Sequence, residues 1–251
     1  MIHDRANTLP GLALAPWRDW PVREAVALAA GLGYRAVTLD ATHPQVRPRT
    51  LDRSARRDLA ALLRRQEVDL AGIDLWLPVE HLASGPHAER AAEAVVGAIG
   101  LIRELAGLVP SKTVVNLTLP SEADPEAVAA IESASEQLGV TVANHAWPAA
   151  EAGSLGLDPA LAIMAGASPA KALTTLGGRL ASVRLCDAGA SGRVPVGGPG
   201  GSLDVVAFAA SLSISAPLAA VVADVRMLPD PAGAATAALA SWRDAVALPG
   251  F

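Results

Sequence analysis

The sequence predicts an α/β chain folded as a single (β/α)8 barrel, and three observations carry that reading. Eight short apolar stretches recur along the 251 residues, most of them separated by stretches whose apolar residues have helical spacing. Each apolar stretch ends in polar, charged or aromatic side chains, as in a parallel barrel that gathers its chemistry at the C-terminal ends of its strands. The length fits one such barrel, and no linker or short-period repeat divides it, so residues 1–251 read as one domain.

Taken in order, the first strand covers 9–15 and ends near Trp17, and a helix over 21–32 is stopped by Gly33. The second strand, 36–40, ends in Asp40. Asp52 caps a helix over 52–66 whose Arg53, Arg56, Arg57, Arg64 and Arg65 alternate with leucines as a solvated face. The third strand, 70–76, ends in Trp76, with Glu80 and His81 just beyond it and a helix over 87–107. The fourth, 113–118, carries Asn116 in a continuous β-branched run suited to burial on both faces. Asp124 and Pro125 open the next helix, which Gly139 closes after residue 138. The fifth strand, 140–144, runs into Asn144, His145, Ala146, Trp147 and Pro148.

Only residues 146–157, rich in Ala and Gly, separate that strand from Asp158 at the end of the sixth, 154–158. A parallel crossover normally needs about 10–12 residues including its helix. The helix between strands five and six is therefore expected to be missing or very short, and the opening it leaves is a candidate homodimer surface. The seventh strand, 180–187, carries Arg184 and Asp187. The glycine-rich segment 192–202 lacks the Lys-Ser/Thr of a nucleotide loop and the spacing of a dinucleotide fingerprint, so it reads as a mobile loop over the barrel top. A helix over 203–213, a strand over 219–225 containing Asp224, and a helix over 232–247 complete the barrel.

Bulk composition removes several classes of function. Hydrophobic residues make up 51% of the chain and aromatics 3%, so the core is largely aliphatic. A net charge of −5 and a pI near 5.5 argue against a nucleic-acid partner. Cys186 is the only cysteine, which excludes an intrachain disulfide and a cysteine-based metal site and suits a small buried hydrophobe. His3, Asp4, Arg5, Arg18 and Asp19 interrupt the first twenty residues, and apolar runs such as 216–223 fall far short of the roughly 18 residues of a membrane span. A cytoplasmic protein without a membrane partner is the expectation.

The chain resembles the xylose-isomerase-like TIM barrels of the sugar phosphate isomerase/epimerase superfamily. The resemblance rests on Gly-Tyr-Arg-Ala-Val-Thr-Leu-Asp at 33–40, Asp-Leu-Trp-Leu-Pro-Val-Glu-His at 74–81 and Ala-Asn-His-Ala-Trp-Pro at 143–148. It continues through 155–159, 182–188, 195–204 and 221–225, and the order of these short motifs is its strong part. Such enzymes hold a divalent ion with Glu, Asp, His and Glu from four strand ends. Carried over, those positions fall on Ala143, Asp158, Arg184 and Asp224. Two carboxylates, no histidine and an arginine do not make a divalent site. The expectation is therefore no metal or other cofactor, the alternative being a weak divalent site at Asp158 and Asp224.

Under the resemblance, Arg184 either takes the electrostatic role of the ion, neutralising Asp158 and Asp224 or gripping a substrate carboxylate or phosphate, or plugs the mouth in a structural ion pair. Trp17, Trp76 and Trp147 follow strands one, three and five, where they suit sugar stacking or hydrophobic lids. The expected protein is isomerase- or epimerase-like and acts on or binds a small carbohydrate or sugar acid. His145, Glu80 and Asp224 are the candidates for proton transfer. Trp17, Trp76, His81, Asn144, Trp147, Asp158, Arg184 and Asp187 are the candidates for substrate binding. The alternative is a non-catalytic descendant that binds a small molecule or a partner.

Overall fold

The computed structural model describes residues 9–248, so His3, Asp4 and Arg5 lie outside the described residues, as do 249–251. Chain order is β1 (Gly11–Ala13), α1 (Val22–Gly31), β2 (Ala36–Asp40), α2 (Arg53–Arg65), β3 (Asp69–Asp74), α3 (Ala88–Ala106), β4 (Val114–Leu117) and α4 (Pro125–Leu138). There follow β5 (Thr141–Asn144), β6 (Leu155–Leu157), α5 (Pro159–Met164), α6 (Pro169–Leu176), β7 (Leu180–Leu185), β8 (Asp187–Gly189), β9 (Gly192–Val194), α7 (Val205–Ser215), β10 (Ala220–Ala223) and α8 (Pro231–Val246). β1 to β7 and β10 form a closed, all-parallel barrel in which β10 pairs with both β7 and β1. The predicted (β/α)8 barrel is what the chain forms.

Outward-facing strand residues and the inner faces of the helices form one continuous core. Leu12, Val37, Leu39, Ile73, Val115, Leu157, Val183 and Leu185 belong to it, with Val26, Leu63, Val95, Ile99, Phe208 and Trp242 from the helices. Each such side chain contributes about 1.5–3 kcal/mol when fully buried. The lumen is different. Ala13, Ala71 and Val222 form a separate small cluster with Ala36, and a Cβ at Gly11 would lie 3.1 Å from that of Ala71. Small residues there leave room at the mouth for one large side chain, and Arg184 heads the fully buried side chains by volume.

Between β5 and β6 the chain runs from residue 145 to 154 without a helix, as the sequence implies, and the two strands pair only through Asn144 and Leu155. Arg179 fills part of the gap: its Nη2 donates to Ala150 O at 2.9 Å and to Gly153 O at 3.3 Å. Two features go beyond the sequence reading. The crossover from β6 to β7 holds two short helices, capped by Asp158 and Ser168 with Pro159 and Pro169 in their first turns. They are too short, and too sharply broken around Gly166, to show a helical period. The segment read as a mobile loop also begins as a strand, β9, paired antiparallel with β8 through Asp187 and Val194 and through Gly189 and Gly192. No helix among the described residues is long and apolar enough to cross a membrane.

Candidate functional site

The C-terminal ends of the strands bring three aspartates and three arginines into one connected group. Arg184 projects from β7, and its two terminal nitrogens reach Asp74 Oδ1 at the end of β3 and Asp224 Oδ2 after β10, both at 3.3 Å. Arg193, on β9, donates to Asp158 Oδ2 and, at 3.3 Å, to Asp224 Oδ2. Arg226 holds the same aspartate from outside through Nε to Oδ1 at 2.8 Å and Nη2 to Oδ2 at 2.6 Å. Asp224 therefore meets all three guanidinium groups. The ring of Trp76 lies beneath two of them, with the guanidinium carbon of Arg226 3.2 Å and that of Arg184 4.4 Å from its centre.

Beside the ion pairs runs a second chain of contacts. Asn116 Nδ2 donates to Asp74 Oδ1 at 3.0 Å, and Asn116 Oδ1 lies 3.2 Å from His145 Nε2. Because the amide nitrogen faces a carboxylate, its oxygen faces the histidine, and Nε2 must carry the ring proton. His145 can take this place only because residue 156 is glycine, whose Cβ would fall 2.2 Å from two atoms of the imidazole.

Charge and burial set the protonation states. Burial, then the Arg184 guanidinium, hold the His145 imidazole well below its ordinary range, so it is neutral at neutral pH. Burial raises the Asp74 carboxyl against the opposing pull of Arg184. Burial also pushes Asp224 upward, but Arg184, Arg226 and Arg193 outweigh it and keep that carboxyl far below the usual carboxylate range. Four atoms of the group are buried without a hydrogen-bond partner: Asp74 Oδ2, Trp76 Nε1, His145 Nδ1 and Arg184 Nε.

Of the residues expected at the site, Trp76, His145, Asp158, Arg184 and Asp224 meet in this group. The others lie elsewhere. Trp17 is buried beside Leu14, Asp40 and His43 around a cavity of about 10 Å³. Asn144 Oδ1 accepts from the backbone of Leu119 and Ala146, both at 3.0 Å. Asp187 Oδ1 accepts three backbone N–H groups, from Ala188, Ser202 and Leu203, and so fixes the base of the hairpin. Trp147 is half-buried against the main core. Glu80 is exposed on a 3-10 turn, and the neighbouring His81 ring stacks 4.8 Å from His87.

Asp74, Asn116, Arg193 and Arg226 are site residues that the sequence reading did not assign. Asp74 opens the motif containing Trp76, and Arg226 stands two residues beyond Asp224, so both were within reach of the pattern. Arg193 gave no signal, because its position depends on the hairpin.

A divalent ion does not fit these residues. Ala143 offers no donor, Arg184 places a cation among the carboxylates, and Arg193 bridges the two aspartates of the alternative weak site. Cys186 Sγ also lies 3.2 Å from Asp158 Oδ1, with its thiol pushed well up by burial and then by Asp158. Among the described residues, no group of three or more His, Cys, Asp or Glu is arranged to hold a metal.

No protein-family model matches the chain, and no curated protein matches its sequence. Solved structures match its fold. An L-ribulose 3-epimerase superposes with a TM-score of 0.67 at 14% identity, covering 97% of this chain and 99% of its own. A probable 3-DHS dehydratase from Bacillus anthracis gives 0.68 at 12% identity, with 92% and 97% covered. A xylose isomerase-like TIM barrel protein from Mycobacterium smegmatis, solved in complex with magnesium, gives 0.67 at 12% identity, with 96% and 98% covered. The chain thus shares the (β/α)8-barrel fold of these structures.

Three outcomes are expected. Arg184→Ala leaves Asp74 buried without its cation and should cost about 3–5 kcal/mol in urea unfolding at neutral pH. Part of that loss should return in acid, because a carboxyl whose folded-state pKa is raised binds its proton more readily folded than unfolded. In the wild type, His145 acts in the opposite direction: its depressed folded-state pKa means that stability is lost as pH falls below about 6.5. His145→Gln should flatten the stability–pH slope there by up to about 1.4 kcal/mol per pH unit. Finally, a chelator should leave the melting temperature unchanged, and elemental analysis should find well under one divalent ion per chain.

Proposed function

We propose that this protein is isomerase- or epimerase-like and acts on or binds a small carbohydrate or sugar acid at the mouth of its barrel, without a divalent ion. The observation that carries the reading is the set of unpartnered atoms at the mouth. Trp76 Nε1 and Arg184 Nε are donors, Asp74 Oδ2 and His145 Nδ1 are acceptors, and all belong to one connected group. Buried polar atoms are normally satisfied, so four unpartnered ones in one connected group support the reading of a site for a polar molecule. Hydroxyl groups both donate and accept, so a polyol offers partners of both kinds. Three guanidinium groups against three carboxylates leave the mouth without excess charge, which favours a neutral sugar over a sugar phosphate. The fold adds support, since similar structures include an L-ribulose 3-epimerase and a D-psicose 3-epimerase.

The second reading is a non-catalytic barrel that binds the molecule and leaves it unchanged. It is favoured by Asp224, whose carboxylate is engaged by three arginines and is not free to take a proton. The test for binding is a thermal-shift and tryptophan-fluorescence titration in chelator with D-fructose, D-tagatose, D-psicose, L-ribulose and D-gluconate. A ligand of the mouth should raise the melting temperature as RT ln(1 + [L]/Kd) and change the emission of Trp76, which a Trp76→Leu variant should abolish. Silence across the panel removes the carbohydrate reading. Unchanged sugar recovered from a binding mixture selects the non-catalytic one.

A further inference from the structure

We infer that His145 Nδ1 is a metal-free proton acceptor for a carbon-bound hydrogen next to a carbonyl group, with Asn116 and Asp74 as its positioning residues. The inference deepens the carbohydrate reading and rests on it. Its basis is geometric. Asp74 Oδ1 accepts from Asn116 Nδ2 at 3.0 Å, which turns Asn116 Oδ1 towards His145 Nε2 at 3.2 Å. Nε2 is thereby the protonated nitrogen, and Nδ1 keeps a lone pair that meets no hydrogen-bond donor. A base needs that free lone pair, and an orienting partner on the other nitrogen holds the tautomer. Gly156 leaves the ring its place, since any larger residue there would displace the imidazole.

Charged groups around the imidazole come from Arg184 on β7 and from Asp224 and Arg226 after β10. Asp224 is withdrawn from the task by its three arginines, and Glu80 is exposed on its turn outside the group, so His145 is the member of the expected proton-transfer set with an unengaged basic atom inside it. Arg184 Nε, likewise without a partner, is a cationic donor in the same group.

The step balances within these residues. The C–H bond beside the carbonyl breaks and its proton passes to Nδ1, giving an imidazolium. The bonding pair becomes the C=C bond of an enolate as the carbonyl π pair moves onto oxygen, whose charge the Arg184 guanidinium offsets. The proton then returns to the same carbon or, through the enediol of an α-hydroxy ketone, to its neighbour. Arg226 is the outermost of the three arginines, 21% exposed against 2% for Arg184, and its guanidinium stacks on Trp76.

The experiment uses the full chain in chelator and heavy water, with D-fructose, D-tagatose, D-psicose and L-ribulose as probes followed by proton NMR. Wild type should replace the hydrogen beside the carbonyl or form an isomer, and His145→Gln should lower that rate at saturating sugar by about 100-fold or more, a loss far larger than its effect on sugar affinity. Nitrogen-15 NMR of the wild-type imidazole should show a protonated Nε2 and a bare Nδ1, a preference that Asn116→Leu should lose. Binding without exchange or isomerisation overturns the role of His145 and leaves the carbohydrate reading intact. Absence of both binding and exchange overturns both. Exchange that survives in His145→Gln, or an Nδ1-protonated ring in the wild type, also overturns the inference. The nitrogen-15 measurement decides even where a variant fails to fold.

Discussion

A guanidinium group buried at the top of a parallel barrel needs counter-charge from more than one direction, and Arg184 receives it from Asp224 beside it, after the neighbouring strand β10, and from Asp74 on β3 across the barrel. Moving ions out of water costs several kcal/mol each, so such pairs persist only where further contacts satisfy the remaining donors and acceptors. Here the charges are met in a chain of dependence, which leaves Arg184 Nε and Asp74 Oδ2 without partners. Arg184 requires the two aspartates, Asp224 gathers Arg193 and Arg226, and Arg193 ties in Asp158. Because Arg193 stands on the β8–β9 hairpin, the position of a surface element is set by a charge balance deep in the barrel.

The small lumen is the steric counterpart of that balance. Ala13, Ala71 and Gly11 pack closely low in the lumen, while Gly156 leaves room above for the His145 ring. A carboxylate in place of Ala143 would meet Asn116 on the neighbouring strand, its partner in register, instead of an ion.

Much of the architecture was legible in the sequence because strand ends and helix caps are local signals. Asp124, Pro125 and Gly139 bound α4 as read, and the short spacing between His145 and Asp158 announced the absent helix. At the mouth, Arg184 and Asp224 were legible for the same reason: strand register puts them there. Arg193 was not, since a glycine- and proline-rich stretch carries no periodicity and its hairpin is held by Asp187, whose partners lie 15 and 16 residues further on. Nor could spacing show that Glu80 would be turned to solvent or that Asn144 would clamp two backbone amides. Those outcomes depend on loop paths that no short pattern encodes.

Closure of the barrel joins distant parts of the chain. β1 pairs with β10 through Leu12 and Ala223, and the Tyr34 hydroxyl donates to Ala235 O at 2.7 Å across 201 residues of sequence. Contacts of such range form late, because the whole intervening loop must be ordered first. During synthesis the first strand emerges long before its partner exists, and its edge stays open until the last helices leave the ribosome. Until β10 is made, β1 lacks one of its two neighbours, and an unpaired strand edge of that kind is open to edge-to-edge association.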